Sequence, residues 1–310
     1  MNISGWMSVS RRSKRSCLTA GLVASLIAWL TLEPRLTADE PKAAEKAEDS
    51  CAELFGLMYW TKYDEGVYRA CRDGSEVKLL VPMKGADGLA IDEQAGKLYF
   101  SVSAAPMANA DSACRANLDG SGVEELIKGL NYTGDLQIDA KAGKLYVSCM
   151  GDGKIIEAKL DGSGQKDLIV GLGNPDEMTI DPVRRKLYWV RGGMIQRADL
   201  DGANVEDVVP IQAMSMGLAV DPDDKRLYYV VTGAGAIRRI KLDGTGDEQI
   251  LDGHLDMDGL AIDAGNRKLY WTEQAKICQS NLDGSLVETL VPDKTWKYGS
   301  IVILPPKSSP

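Results

Sequence analysis

An Asp-Gly pair recurs along this chain at Asp73, Asp119, Asp161, Asp201, Asp243 and Asp283, at intervals of 46, 42, 40, 42 and 40 residues. Ahead of each pair lies a short aromatic run: LMYWTK (57–62), KLYFSV (97–102), KLYVSC (144–149), RKLYWV (185–190), KRLYYV (225–230) and RKLYWT (267–272). A period of this size means that one supersecondary unit is built again and again, each copy burying its apolar face against the next. Six units fill residues 57–304 of the 310-residue chain and leave no room for a second fold.

Each unit divides into four runs with strand character. In the last full copy these are LAID (260–263), KLYWTE (268–273), ICQSNL (277–282) and LVETLV (286–291). β-branched and aromatic residues dominate the runs, and turn residues separate them. Asp-Gly between the third and fourth runs supplies the positive φ of a tight hairpin. No run has the length or 3.6-residue periodicity of a helix. The expectation is an all-β fold, a six-bladed β-propeller of four-stranded antiparallel blades. The first unit lacks an innermost strand, and YGSIVILPP (298–306) is an innermost strand with no blade after it. The C-terminal strand is therefore expected to complete the first blade and close the ring, which removes exposed sheet edges.

LYWT (269–272) and MYWT (58–61), with GLAID before the former and NLDGS after it, resemble the YWTD repeat. The chain is thus similar to the class B repeats of low-density-lipoprotein receptors, over about 250 residues and in every blade. The resemblance implies a six-bladed propeller that binds proteins. It departs from that family at the fourth motif position, usually Asp, where Lys62, Ser103, Cys149, Arg191, Val231 and Glu273 stand. The cysteine-rich modules that flank receptor propellers are also absent. A stand-alone exported member, bacterial in origin, is the form expected, without the receptors' endocytic role.

Residues 1–38 read as a signal peptide: SRRSKRS (10–16), the apolar run CLTAGLVASLIAWLTL (17–32), and small residues allowing cleavage near Ala38. Residues 39–50 are a charged, low-complexity tether expected to be disordered. The propeller is assigned to 51–306 and a tail to 307–310. The product is expected in the periplasm, at the cell surface or outside the cell, with an uncleaved N-terminal segment as its one route to a membrane. Residues 1–38 hold five Lys/Arg and one Glu, which leaves −13 of the −9 total to the remainder. So acidic a chain does not suit nucleic acid. Five cysteines follow residue 38, an odd number. Cys51–Cys71 is a plausible clip, and no zinc pattern is present.

Positions that stay the same in every copy serve the blade. Asp92, Asp139, Asp181, Asp221 and Asp263 end the innermost strands and are expected to cap turn amides. Tyr59, Tyr99, Tyr146, Tyr188, Tyr228 and Tyr270 are expected between blades. Function is sought where copies diverge, in the top-face loops. There the innermost strands align Asp87, Gly134, Asp176, Met216, Asp258 and Tyr298 at the channel mouth, with Asp135 and Glu177 one residue further in. Asp87, Asp135, Asp176, Glu177, Met216, Asp258, Trp296 and Tyr298 form the expected ligand-binding face, taking a protein or peptide. Asp87, Asp176 and Asp258 are also the candidate ligands for Ca2+ or another divalent cation, which favours oxygen donors.

No catalytic residue is assigned. No G-x-S-x-G elbow, Ser-His-Asp order or Cys-His pair is visible, and the lone histidine, His254, reads as solvated surface. The rival to a binding module is a metal-dependent hydrolase of the six-bladed lactonase type, in which the channel acids would hold an ion that activates water. Asn131-Tyr132-Thr133 is a glycosylation sequon where the host performs that chemistry.

Overall fold

The computed structural model describes residues 51–104, 109–211, 215–274, 276–292 and 298–307. The expected signal peptide, the tether and Trp296 lie outside them, as do residues 308–310 of the tail. Among the described residues no helix is long and apolar enough to cross a membrane.

The strands form six separate four-stranded antiparallel sheets, each a blade. The inner strands are Ala86–Asp92, Thr133–Asp139, Pro175–Asp181, Leu218–Asp221 and Met257–Asp263 in blades 2 to 6. In blade 1 the inner strand is Tyr298–Leu304, paired antiparallel with Leu57–Lys62 from Leu57 opposite Leu304 to Lys62 opposite Tyr298. The C-terminal strand therefore closes the ring, as its unpaired sequence implied. Every inner strand contacts the inner strands on both sides of it, and together they surround a central channel.

The Tyr-Trp adjacency explains how the blades hold together. Consecutive residues of a strand point to opposite faces of the sheet. One aromatic therefore serves the interface ahead and its neighbour the interface behind. Tyr59 packs with Phe100 between blades 1 and 2, and Tyr146 with Trp189 between blades 3 and 4. Tyr188 packs with Tyr229, Tyr228 with Trp271, and Tyr270 with Trp60 at later interfaces. The buried apolar residues accordingly fall into six clusters, one for each blade interface.

At the bottom of the ring the expected caps are present. Asp92 accepts from the Ala95 amide at 2.9 Å, and Asp263 from the Asn266 amide at 3.1 Å. Three of these aspartates also take an arginine from another part of the ring: Asp139 from Arg185, Asp221 from Arg267 and Asp263 from Arg72. They are thus inter-blade ties as well as caps.

Cys51 and Cys71 form a disulfide that fastens the first described residue to blade 1. Lys307 donates its amide to the Ala52 carbonyl at 3.2 Å, so the two described ends are tied to each other. Closing a loop with a sequence separation of 20 stabilises by about 3 kcal/mol on chain-entropy grounds. The Cys51→Ser/Cys71→Ser variant is expected to lose that amount in urea unfolding, and an unchanged midpoint would show that the clip is idle. Cys114, Cys149 and Cys278 are free and buried. Burial pushes the Cys149 thiol up to about 12 and the Cys278 thiol to about 11, so neither is a reactive thiolate.

Candidate functional site

The channel mouth is built from one irregularity repeated around the ring. Five of the six inner strands begin with a register shift against the neighbouring strand, the exception being Leu218–Asp221 of blade 5; in blades 2, 3, 4 and 6 it falls between Ala86 and Leu89, Thr133 and Leu136, Pro175 and Met178, and Met257 and Leu260. Blade 1 has the same shift opposite Trp60 and Lys62. A bulge puts two residues opposite one and leaves backbone groups without ladder partners. Those two residues, the second and third of the inner strand, carry the acids in blades 2, 3, 4 and 6.

Side-chain hydroxyls from the adjoining strand satisfy the bulge. Ser101 accepts from the Gly88 amide at 2.8 Å and donates to the Gly134 carbonyl of the next blade at 2.9 Å. Ser148 accepts from the Asp135 amide at 2.8 Å, and Thr61 donates to the Asp87 carbonyl at 2.6 Å. Thr272 donates to the Gly299 carbonyl at 3.3 Å. This is the third position of the aromatic motif. Sequence reasoning gave it no role, although Thr or Ser in four of six copies was the available signal. Blades 4 and 5 have Val190 and Val230 there.

The second tier of the mouth holds Asp87, Gly134, Asp176, Met216, Asp258 and Gly299. Tyr298 does not belong to it: it pairs with Lys62 as Ala86 pairs with Val102, one residue earlier. The bulge lies in between, so an alignment from the strand's beginning slips by one, whereas Ile301 aligned with Leu260 gives the true register. The same pairing corrects the fourth motif position of blade 2 from Ser103 to Val102.

Acid and glycine alternate for a steric reason. A Cβ on Gly299 would lie 2.8 Å from Asp87 Oδ1, and one on Gly134 would lie 2.8 Å from Asp176 Oδ1. A Cβ on Gly88 would lie 2.5 Å from Asp135 Oδ1. Each of these carboxylates leans over a glycine of the neighbouring blade. Asp135 is buried and accepts from the Leu136 amide at 2.8 Å, the Gln137 amide group at 3.0 Å and the Met178 amide at 3.1 Å. Asp87, Asp176, Glu177 and Asp258 are half-buried, and among the described residues their carboxylates have no hydrogen bond or ion pair. Met216 is half-buried in the same tier.

Crowding and burial disfavour ionisation here. Burial, then the charges of Asp176 and Asp135, push Asp87 up to about 7. Burial pushes Asp135 to about 7 against its hydrogen bonds, and Asp176 to about 6. Glu177 and Asp258 are raised well above the ordinary range, first by burial and then by neighbouring carboxylates. Among the described residues no group of three His, Cys, Asp or Glu side chains is set to hold a metal ion.

His254 is not the solvated side chain expected. Its Nδ1 lies 2.7 Å from Glu273 Oε2 and its ring stands edge-on to Trp271, with centroids 5.6 Å apart. Glu273 also accepts from Trp271 Nε1 at 3.0 Å. Burial opposes its charge, but the bonds from Trp271 and His254 and the charges of His254 and Lys276 hold its carboxyl below the ordinary value. The acid at the fourth motif position thus secures the tryptophan two residues earlier. Where Lys62 and Arg191 replace it, the indole N–H groups of Trp60 and Trp189 find no partner among the described residues. At the sequon, Asn131 Nδ2 donates to Asp152 at 2.8 Å and Thr133 is buried against Asp111, so the fold engages both side chains.

A chain in a solved structure entitled "Crystal structure of Nidogen/Laminin Complex" superposes on this one with a TM-score of 0.72 at 20% identity, covering 81% of this chain and 99% of that chain. At that identity the likeness shows the six-bladed fold. No protein-family model matches the chain, and no curated protein matches it.

Proposed function

We propose that this chain is a stand-alone, exported propeller of the YWTD type that works without catalysis, docking a protein or peptide through its top face. The observation that carries this reading is the set of carboxylates at the mouth, where Asp87, Asp176, Glu177 and Asp258 have no partner among the described residues. A buried charge without a partner is costly, and a basic group supplied from outside offsets that cost. The match to a chain from a protein–protein complex fits this reading. Trp296 and Tyr298 enter the proposed face from the sequence alone, as aromatic anchors. Export rests on residues 1–38 alone.

The test is affinity capture from the native host's envelope and culture fluid with residues 39–310, beside Asp87→Asn/Asp176→Asn/Asp258→Asn. A partner that is held by the wild type, released by salt and lost by the variant is the expected result. Capture indifferent to the substitutions would sink the reading. Metal content of the same preparations tests the lactonase-type hydrolase: one divalent ion per chain, lost in the variant, would favour that activity over docking.

A further inference from the structure

Beneath the acidic tier the channel holds a cavity of about 280 Å3. Its upper wall includes Asp135, Glu177 and Ser300; its lower wall is a collar of Ile91, Ile138, Ile180, Val220, Ile262 and Ile303. Each collar residue stands one before the last aspartate of its inner strand or, in blade 1, before Leu304, and Ile91, Ile180 and Ile262 lie four residues beyond the upper aspartates, a depth of about 13 Å at the rise of a strand. The collar side chains are half-buried, with their remaining surface in the channel.

The two ends of this channel differ in kind. At the bottom, the carboxylates that end the inner strands are occupied: Asp139, Asp181, Asp221 and Asp263 hold turn amides and arginines. At the top, Glu177 lines the cavity, is half-buried, and has no hydrogen-bond or ion-pair partner among the described residues. Its position one residue inside the aspartate tier places it between the charged mouth and the apolar collar. A ligand that answers both walls carries positive charge at one end only and hydrocarbon behind it.

We infer that the channel takes a primary ammonium group on an unbranched alkyl chain, the ammonium lodged by Glu177 and Asp135 beneath the upper aspartates and the chain against the aliphatic collar. An ammonium brings three donors without requiring the fixed, close coordination of a metal ion, for which no three side chains are set among the described residues. Burial, with repulsion among the acids added to it, favours their protonated forms, and an arriving ammonium displaces those protons. This ligand class goes beyond the docking reading. A free alkylamine and a lysine side chain share the chemistry.

The experiment is calorimetric titration of residues 39–310 at pH 7 with hexylamine, hexanol and ammonium chloride, repeated in buffers of differing ionisation heat. Hexylamine is expected to bind at least tenfold more tightly than either control and to release protons. Glu177→Gln is expected to weaken it at least tenfold while remaining folded. Ile262→Ala is expected to weaken hexylamine and leave ammonium unchanged. Nα-acetyl-lysine amide as tight as butylamine would make a partner's lysine the source, and markedly weaker binding would make it a free amine. Hexylamine no tighter than hexanol, or indifferent to Glu177→Gln, overturns the inference whatever the fate of the docking partner.

Discussion

At pH 8 the Asp87→Asn/Asp176→Asn/Asp258→Asn variant should melt above the wild type, and at pH 4 the two should melt together. The sign follows from the raised carboxyls. Their folded values lie above their unfolded ones, with Asp87 at about 7 and Asp176 at about 6. Between an unfolded value of about 4 and these folded values, the native state binds more protons than the unfolded state. The stabilising contribution is therefore complete below about pH 4 and is lost as pH rises through 6 to 7. Ionising Asp87 alone at pH 8 costs on the order of 4 kcal/mol, and the acids share one mutual repulsion, so removing three does not triple it. An increase in Tm of roughly 5–10 °C at pH 8 is expected for a chain of this size. Asn keeps the shape that leans over the neighbouring glycines and removes only the charge. Groups held low elsewhere, such as Asp263 and Glu273, titrate alike in both proteins and cancel from the comparison. A variant that melts at or below the wild type at pH 8 would show that the mouth is not electrostatically strained.

Such a strain is hard to read from sequence, although much around it was legible. The Asp-Gly hairpins, the Tyr-Trp strands and the orphan strand at the C-terminus determine a closed six-bladed ring, because their spacing and their period of two are local properties. The grouping of Asp87, Asp176 and Asp258 in one tier, with Asp135 and Glu177 below, was legible for the same reason. Tyr298 was misplaced because a bulge adds a residue that no periodicity announces; only the pairing of Lys62 with Tyr298 reveals it. His254 was misread because its partner, Glu273, is 19 residues away in sequence. The hydroxyls of Thr61, Ser101, Ser148 and Thr272 looked like ordinary strand residues, since the backbone groups they satisfy exist only once the bulge forms.

The glycines of the mouth give the largest mutational effects, and they separate two kinds of crowding. A Cβ at Gly88 would meet Asp135 Cα at 2.7 Å and the Leu136 amide nitrogen at 2.7 Å, which are backbone atoms of the next blade. Nothing there can rotate away, so Gly88→Ala must push blades 2 and 3 apart. A cost of about 3 kcal/mol or more is expected, at the upper end for overpacking. At Gly134 the nearest atoms are Asp176 Oδ1 at 2.8 Å and Ser148 Oγ at 2.9 Å, both in side chains, with Asp176 Cα at 3.4 Å. Gly134→Ala should cost about 1–2 kcal/mol, because a carboxylate can swing where a backbone cannot. Removing the obstructing side chain should then rescue one glycine and not the other. In urea unfolding, Asp176→Ala is expected to recover most of the Gly134→Ala loss, a coupling of about 1 kcal/mol. Asp135→Ala should leave the Gly88→Ala loss largely in place, since the opposing atoms remain. Equal rescue at both positions would mean that the inner strands move freely against each other. The mouth would then be a pliable opening instead of a rigid ring that holds its carboxylates over glycine.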